Sequence, residues 1–158
     1  MRRDGAFCWV CGRNGHCVYG GEEKITITNM NTTLRDELLA PYYLKEDGMG
    51  GIRYFEGLPL NVLEKLVKHK LVEMEPWNSC AGVAELFLPF MRRNPSFTAH
   101  GYAVSPERKD RRITIEGVER EAPFTKAELA DFALTFAGAD ELVIDDDPDC
   151  NYLRCWYD

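Results

Sequence analysis

The sequence predicts an α+β fold, a mainly antiparallel sheet with packed helices, and three observations carry that reading. Strand-like segments come in adjacent pairs around turn residues, as hairpins do, rather than alternating singly with helices. Segments 58–72 and 126–137 instead repeat apolar residues at helical spacing. At 158 residues, 45% hydrophobic and 28% charged, the chain has the size of one compact domain or two small halves sharing a core. Its 7 Tyr, 8 Phe and 3 Trp exclude a disordered chain.

Taken in order, "KITIT" (24–28) alternates and is β-branched, which predicts a strand. A short helix follows over 31–40, capped by Asn31 or Thr32 and closed by Pro41. Residues 42–57 read as a hairpin whose glycines supply the turn. The helix over 58–72 has Pro59 near its first turn and sets Leu60, Leu63, Leu66, Val67 and Leu71 on one face. A second helix is expected over 78–95, capped by Asn78 or Ser79 and kinked or shortened by Pro89. Strands follow over 97–104 and 111–118. The helix over 126–137 has the strongest local signals: a capping box of Thr125 and Glu128, a staple of Phe124 and Leu129, and Gly138 as its stop. Segments 141–147 and 152–158 close the chain as two more strands.

This order divides the chain into an N-terminal unit over 1–57, a helical connector over 58–95 and a C-terminal β-β-α-β-β unit over 96–158, within one compact domain overall. "KITIT", helix, hairpin parallels "RITIE", helix, hairpin, which suggests two related β-β-α-β-β units joined by a two-helix segment. Ordinary strand composition gives the same Ile-Thr-Ile, so both readings stand.

The net charge is -7. Between Asp140 and Asp158 seven acidic residues face Arg154 alone, leaving the rest of the chain near neutral. That distribution disfavours nucleic acid as a partner and favours protein, although "ERKDRR" (107–112) forms a local basic cluster. No apolar run reaches the roughly 20 residues of a bilayer span, and no h-region follows the basic N-terminal residues. A cytoplasmic, reducing location is therefore expected, with the 6 cysteines as thiols or metal ligands.

The opening, "RRDGAFCWVCGRNGHC" (2–17), carries the clearest chemical signal. Two cysteines two residues apart before a glycine turn let both thiolates bind one zinc ion while backbone amides point at the sulfurs. Cys8, Cys11 and Gly12 fit that pattern. His16 or Cys17, with a carboxylate such as Glu22, are candidates to complete the shell; Cys150 and Cys155 are a second candidate pair. "CWVCGRNGH" resembles the start of a zinc knuckle of the retroviral nucleocapsid type, but Gly21 stands where that family has its last cysteine. The stretch is also similar to the N-terminal zinc knuckle of some HNH-type nucleases. Their catalytic Asp-His or His-His pair is missing here, since no histidine lies between His16 and His69. Each resemblance covers about a tenth of the chain and lacks the residues its activity needs, so neither carries a function across. A redox role is disfavoured because Gly12, Asn14 and Gly15 favour a turn over the helix that would activate the first thiol.

Elsewhere, Asp145, Asp146 and Asp147 end a predicted strand, where carboxylates can hold a divalent cation or simply form an acidic turn. Alternation puts His100, Tyr102 and Val104 on one face and the small residues Ala99, Gly101 and Ala103 on the other. That small row implies either packing against a helix or close approach by another backbone or a ligand. His69 sits at a helix end. Nothing places an imidazole near Cys80, and no phosphate loop, G-x-S-x-G or H-E-x-x-H is present. The sequence thus leads to a small binding or accessory protein with one structural zinc. The competing expectation is a metal-dependent, nuclease-like hydrolase using 145–147 with His100.

Overall fold

The computed structural model of the chain describes residues 33–48, 50–75, 82–145 and 151–158. The strand expected over 24–28 and the whole cysteine-rich opening lie outside these residues. The compact unit Asn31–Asp158 contains a single antiparallel sheet of β1 (Tyr43–Gly48), β2 (Ile52–Pro59), β3 (Thr98–Val104), β4 (Ile113–Glu121), β5 (Glu141–Asp145) and β6 (Tyr152–Trp156). The strand order is β1-β2-β3-β4-β6-β5. β1–β2, β3–β4 and β5–β6 pair as hairpins, β2 pairs with β3 across a helix-bearing connection, and β4 pairs with β6 rather than β5. With helices α1 (33–39), α2 (Leu60–Lys68), α3 (Leu88–Arg93) and α4 (Lys126–Thr135), this is an α+β fold. Among the described residues no helix is long and apolar enough to cross a membrane.

Local chemistry explains the element ends. Gly50 and Gly51 turn the first hairpin at φ +73° and +76°, a region costly for any residue with a β-carbon. α2 is shorter than its apolar pattern because Pro59 remains extended at the end of β2 and Lys70, at φ 54°, closes the helix. The helical run begins at Val83 with a π turn and passes through Pro89 into α3. Gly82 is extended, a single π turn spans Val83–Phe87, and Pro89 falls where that turn gives way to α3. Gly82 precedes the first helical residue described in this segment, and the caps expected at Asn78 and Ser79 lie outside the described residues. In α4 the capping box is present: Thr125 Oγ1 accepts from the Glu128 amide at 3.2 Å, and Glu128 Oε2 from the Thr125 amide at 2.7 Å. Its end differs from expectation. Phe136 caps the helix, its amide donating to Phe132 O at 3.0 Å, and Gly138 keeps an ordinary φ.

The buried side chains of the helices all reach one face of the sheet. Val62, Leu63 and Leu66 of α2, Phe90 and Met91 of α3 and Phe132 of α4 meet Phe55, Leu58, Ile113, Ile115, Val118 and Leu153. Five phenylalanines interlock there. Phe90 lies edge-on to Phe97 and Phe136 at centroid distances of 4.9 and 4.7 Å, while Phe87 stacks on Phe136 at 6.0 Å and Phe97 on Phe132 at 5.5 Å. Asn94 and Arg93 tie α3 to α4 through Asp131, at 2.7 and 3.1 Å.

The row of small residues in β3 resolves into two causes. Ala99 and Ala103 belong to the core beneath the helices. Gly101 has backbone against it: a β-carbon there would lie 2.0 Å from Thr114 O, at a register shift between β3 and β4. The C-terminal unit has the β-β-α-β-β order expected of it.

Candidate functional site

Alternation sends His100, Tyr102, Val104, Thr114, Tyr152, Arg154 and Trp156 to the face away from the helices. Val104, His100 and Thr114 are buried yet stand outside the apolar core, as expected for this second face. Polar side chains dominate it, and most are bonded to one another.

His100 is 2% exposed, and its Nε2 lies 2.9 Å from Cys155 O. A carbonyl can only accept, so Nε2 carries the proton. Burial lowers the imidazole pKa to about 4, the Arg154 charge adds to this, and the Cys155 carbonyl and Glu56 partly oppose it. The ring is therefore neutral at pH 7. Beside it, Glu119 joins three strands: it accepts from the Gly57 amide at 3.3 Å, the Tyr152 hydroxyl at 2.9 Å and Arg154 at 3.3 Å. Arg154 also reaches Glu56 at 3.2 Å. Burial holds the Glu116 carboxyl above the usual range, against the opposing pull of its hydrogen bond to the Trp156 indole. Burial likewise raises the Tyr152 hydroxyl pKa, so it stays a donor.

A shallow groove of about 430 Å³ crosses this face at β5 and β6, lined by Glu141, Val143, Tyr152, Arg154 and Trp156. A cleft of about 500 Å³ lies near β1 and β2, with Arg35, Asp36, Tyr43, Arg53 and Ser105 among its lining. Its cations are engaged. Arg35 is paired with Asp36 and donates to Val104 O at 3.0 Å, and Arg53 stacks 4.0 Å above the Tyr43 ring.

Of the residues singled out in the sequence, Cys8, Cys11, His16, Cys17, Glu22, Cys80, Asp146, Asp147 and Cys150 lie outside the described residues. Cys155 is fully buried on the core face with Leu153 and Tyr157. Its Sγ accepts from the Val118 amide at 3.4 Å, which aims it away from solvent. Asp145 ends β5 and pairs with Tyr152, while His100 lies in β3, so β4 and β6 stand between them. The structure does not bring these two together. His69 is exposed at the end of α2. Among the described residues no group of three or more His, Cys, Asp or Glu side chains is gathered as a metal requires.

Sequence reasoning missed the Glu56–Arg154–Glu119 connection and the groove. The signal was present in 152–158: the alternation that assigns Leu153, Cys155 and Tyr157 to one face assigns Tyr152, Arg154 and Trp156 to the other. Comparison with known protein families, curated proteins and solved structures gives no match to this chain.

Proposed function

We propose that this chain is a binding or accessory protein without catalytic activity, and that it engages a protein partner through the groove across β5 and β6. One observation carries the reading: the groove gathers Trp156, Tyr152 and Arg154, the three residue types that most often dominate binding energy at protein interfaces. The titratable groups nearby favour the same reading. His100 is neutral and tied to a carbonyl, and Glu119 is already shared among three donors. The ring is 2% exposed and the carboxylate is occupied by three donors, so neither is presented to a substrate as a general base would be. The acidic C-terminal segment and the cysteine content favour a protein partner in the cytoplasm. A structural zinc held by Cys8 and Cys11, completed by His16 or Cys17, belongs to this proposal on its sequence spacing.

The test combines site-specific capture with an activity assay. A photo-crosslinking residue at position 143 is expected to trap a protein. That protein, once purified, should bind the wild type and not a Tyr152→Ala/Trp156→Ala variant of matched stability. Divalent-dependent cleavage of DNA or RNA by the purified chain, abolished by Asp145→Asn, would favour the hydrolase reading and overturn this one.

A further inference from the structure

We infer that β5 accepts an extended segment of a partner protein as an added strand, with basic side chains toward Glu141 and Asp145 and apolar ones toward Leu142 and Ile144. This rests on the binding reading above and supplies the partner's chemistry. β5 ends the strand order, so among the described residues one of its edges has no neighbouring strand. Such an edge offers a row of N–H and C=O groups that another extended chain can complete. Its apolar side chains are open: Leu142 is 36% and Ile144 42% exposed.

The register shows what each side of an incoming strand would meet. Leu142 pairs with Cys155 and Ile144 with Leu153, both core residues, so Leu142 and Ile144 lie on the helix-bearing face. Glu141, Val143 and Asp145 lie on the other face, where Glu141 and Val143 line the groove with Tyr152, Arg154 and Trp156. A strand of period two would set alternate residues against an apolar strip and against the groove face. There Glu141 and Asp145 flank Val143 on β5, and Arg154 is already engaged by Glu56 and Glu119.

Charge selects the occupant. A second copy of this chain, pairing antiparallel about Val143, would match Leu142 with Ile144. It would also place Glu141 opposite Asp145 twice, and like charges directly opposite destabilise a strand pair. The sequence continues with Asp146, Asp147 and Asp149, which adds to the local negative charge. A strand with Lys or Arg at those positions meets attraction instead.

The full-length chain, isotopically labelled, is titrated with the capped peptide Ac-(Lys-Val)4-NH2, with Ac-(Glu-Val)4-NH2 as control. The basic peptide is expected to slow amide exchange across 141–145 in the wild type by about tenfold or more, and the acidic one to have no effect. Glu141→Lys with Asp145→Lys should weaken the basic peptide about tenfold and gain affinity for the acidic peptide. Glu141 is exposed and Asp145 half-buried, and the wild-type exchange data stand without either substitution. Strand addition is overturned if exchange at β5 does not slow, if the charge-reversed variant binds both peptides as the wild type does, or if the chain alone is a dimer with β5 protected. Binding that needs Tyr152 and Trp156 but leaves β5 exchange unchanged overturns strand addition while the groove reading survives.

Discussion

The His100 ring occupies the space that a side chain at position 117 would need. A β-carbon on Gly117 would lie 2.5 Å from His100 Nε2 and 1.9 Å from Cys155 O. The glycine leaves a gap in β4 through which an imidazole from β3 reaches the backbone of β6. One missing side chain thus joins three strands.

Gly117→Ala is therefore expected to destabilise the fold severely. The nearest obstacle is backbone, which cannot rotate aside as a side chain would. Either β6 shifts away from β4 or the His100 bond breaks. A loss of about 3 kcal/mol or more is the expected scale for overpacking combined with a broken buried hydrogen bond. The urea midpoint checks it; an unchanged midpoint would mean that β4 and β6 separate without cost.

The same histidine makes stability depend on pH. Its pKa falls from 6.5 to about 4 on folding, so the unfolded chain takes up the proton first. Its contribution is complete above pH 6.5 and declines as pH falls toward 4, by about 3 kcal/mol at most. His100→Gln keeps a donor for Cys155 O but cannot titrate. Urea unfolding at pH 7.5 and 4.5 should show a larger loss in the wild type than in this variant, and equal losses would contradict the assignment.

Phe90 is the ring on which the helical layer depends. It touches Phe97, just before β3, and Phe132 and Phe136 of α4 and its C-terminal cap, so it joins α3 to both. Phe90→Ala is expected to cost about 3–5 kcal/mol, and Phe90→Leu markedly less because most of the volume is kept. Thermal unfolding of both variants tests whether the cavity or the ring geometry matters more.

What could be read in advance follows from how local each cause is. α4 was legible because Thr125 and Glu128 satisfy each other within one turn. The faces of β3 and of the last strand were legible because alternation is local. Element ends were not. Pro59 is held in β2 by pairing with Thr98, and the polar residues 119–121, which look like a loop, stay in β4 because β6 pairs with them. The second face was hidden for the same reason: Glu56 and Arg154 meet across 98 residues, and only the order of strands brings them together.

The spacing of Cys8 and Cys11 predicts about one zinc ion per chain, with a structural role. Cys8→Ser combined with Cys11→Ser should reduce the metal content to background, and chelation of the wild type should lower its melting temperature. His16→Ala and Cys17→Ser, made separately, identify which residue completes the shell. A metal-free protein whose melting is indifferent to chelator would remove zinc from the description.

Arg154 contacts two carboxylates, and their exposure indicates that the two contacts differ in value. The Glu119 side chain is 12% exposed and that of Glu56 is 40%. Water screens the outer pair, which should couple by about 0.5 kcal/mol or less, whereas the inner pair also holds the Tyr152 hydroxyl and the Gly57 amide. Double-mutant cycles with Arg154→Met should give about 1–2 kcal/mol of coupling to Glu119→Gln and almost none to Glu56→Gln. Raising salt should shrink the Glu56 coupling first. The reverse ranking would mean that Arg154 is held from the solvent side, and that the guanidinium lining the groove is free to turn when a partner binds.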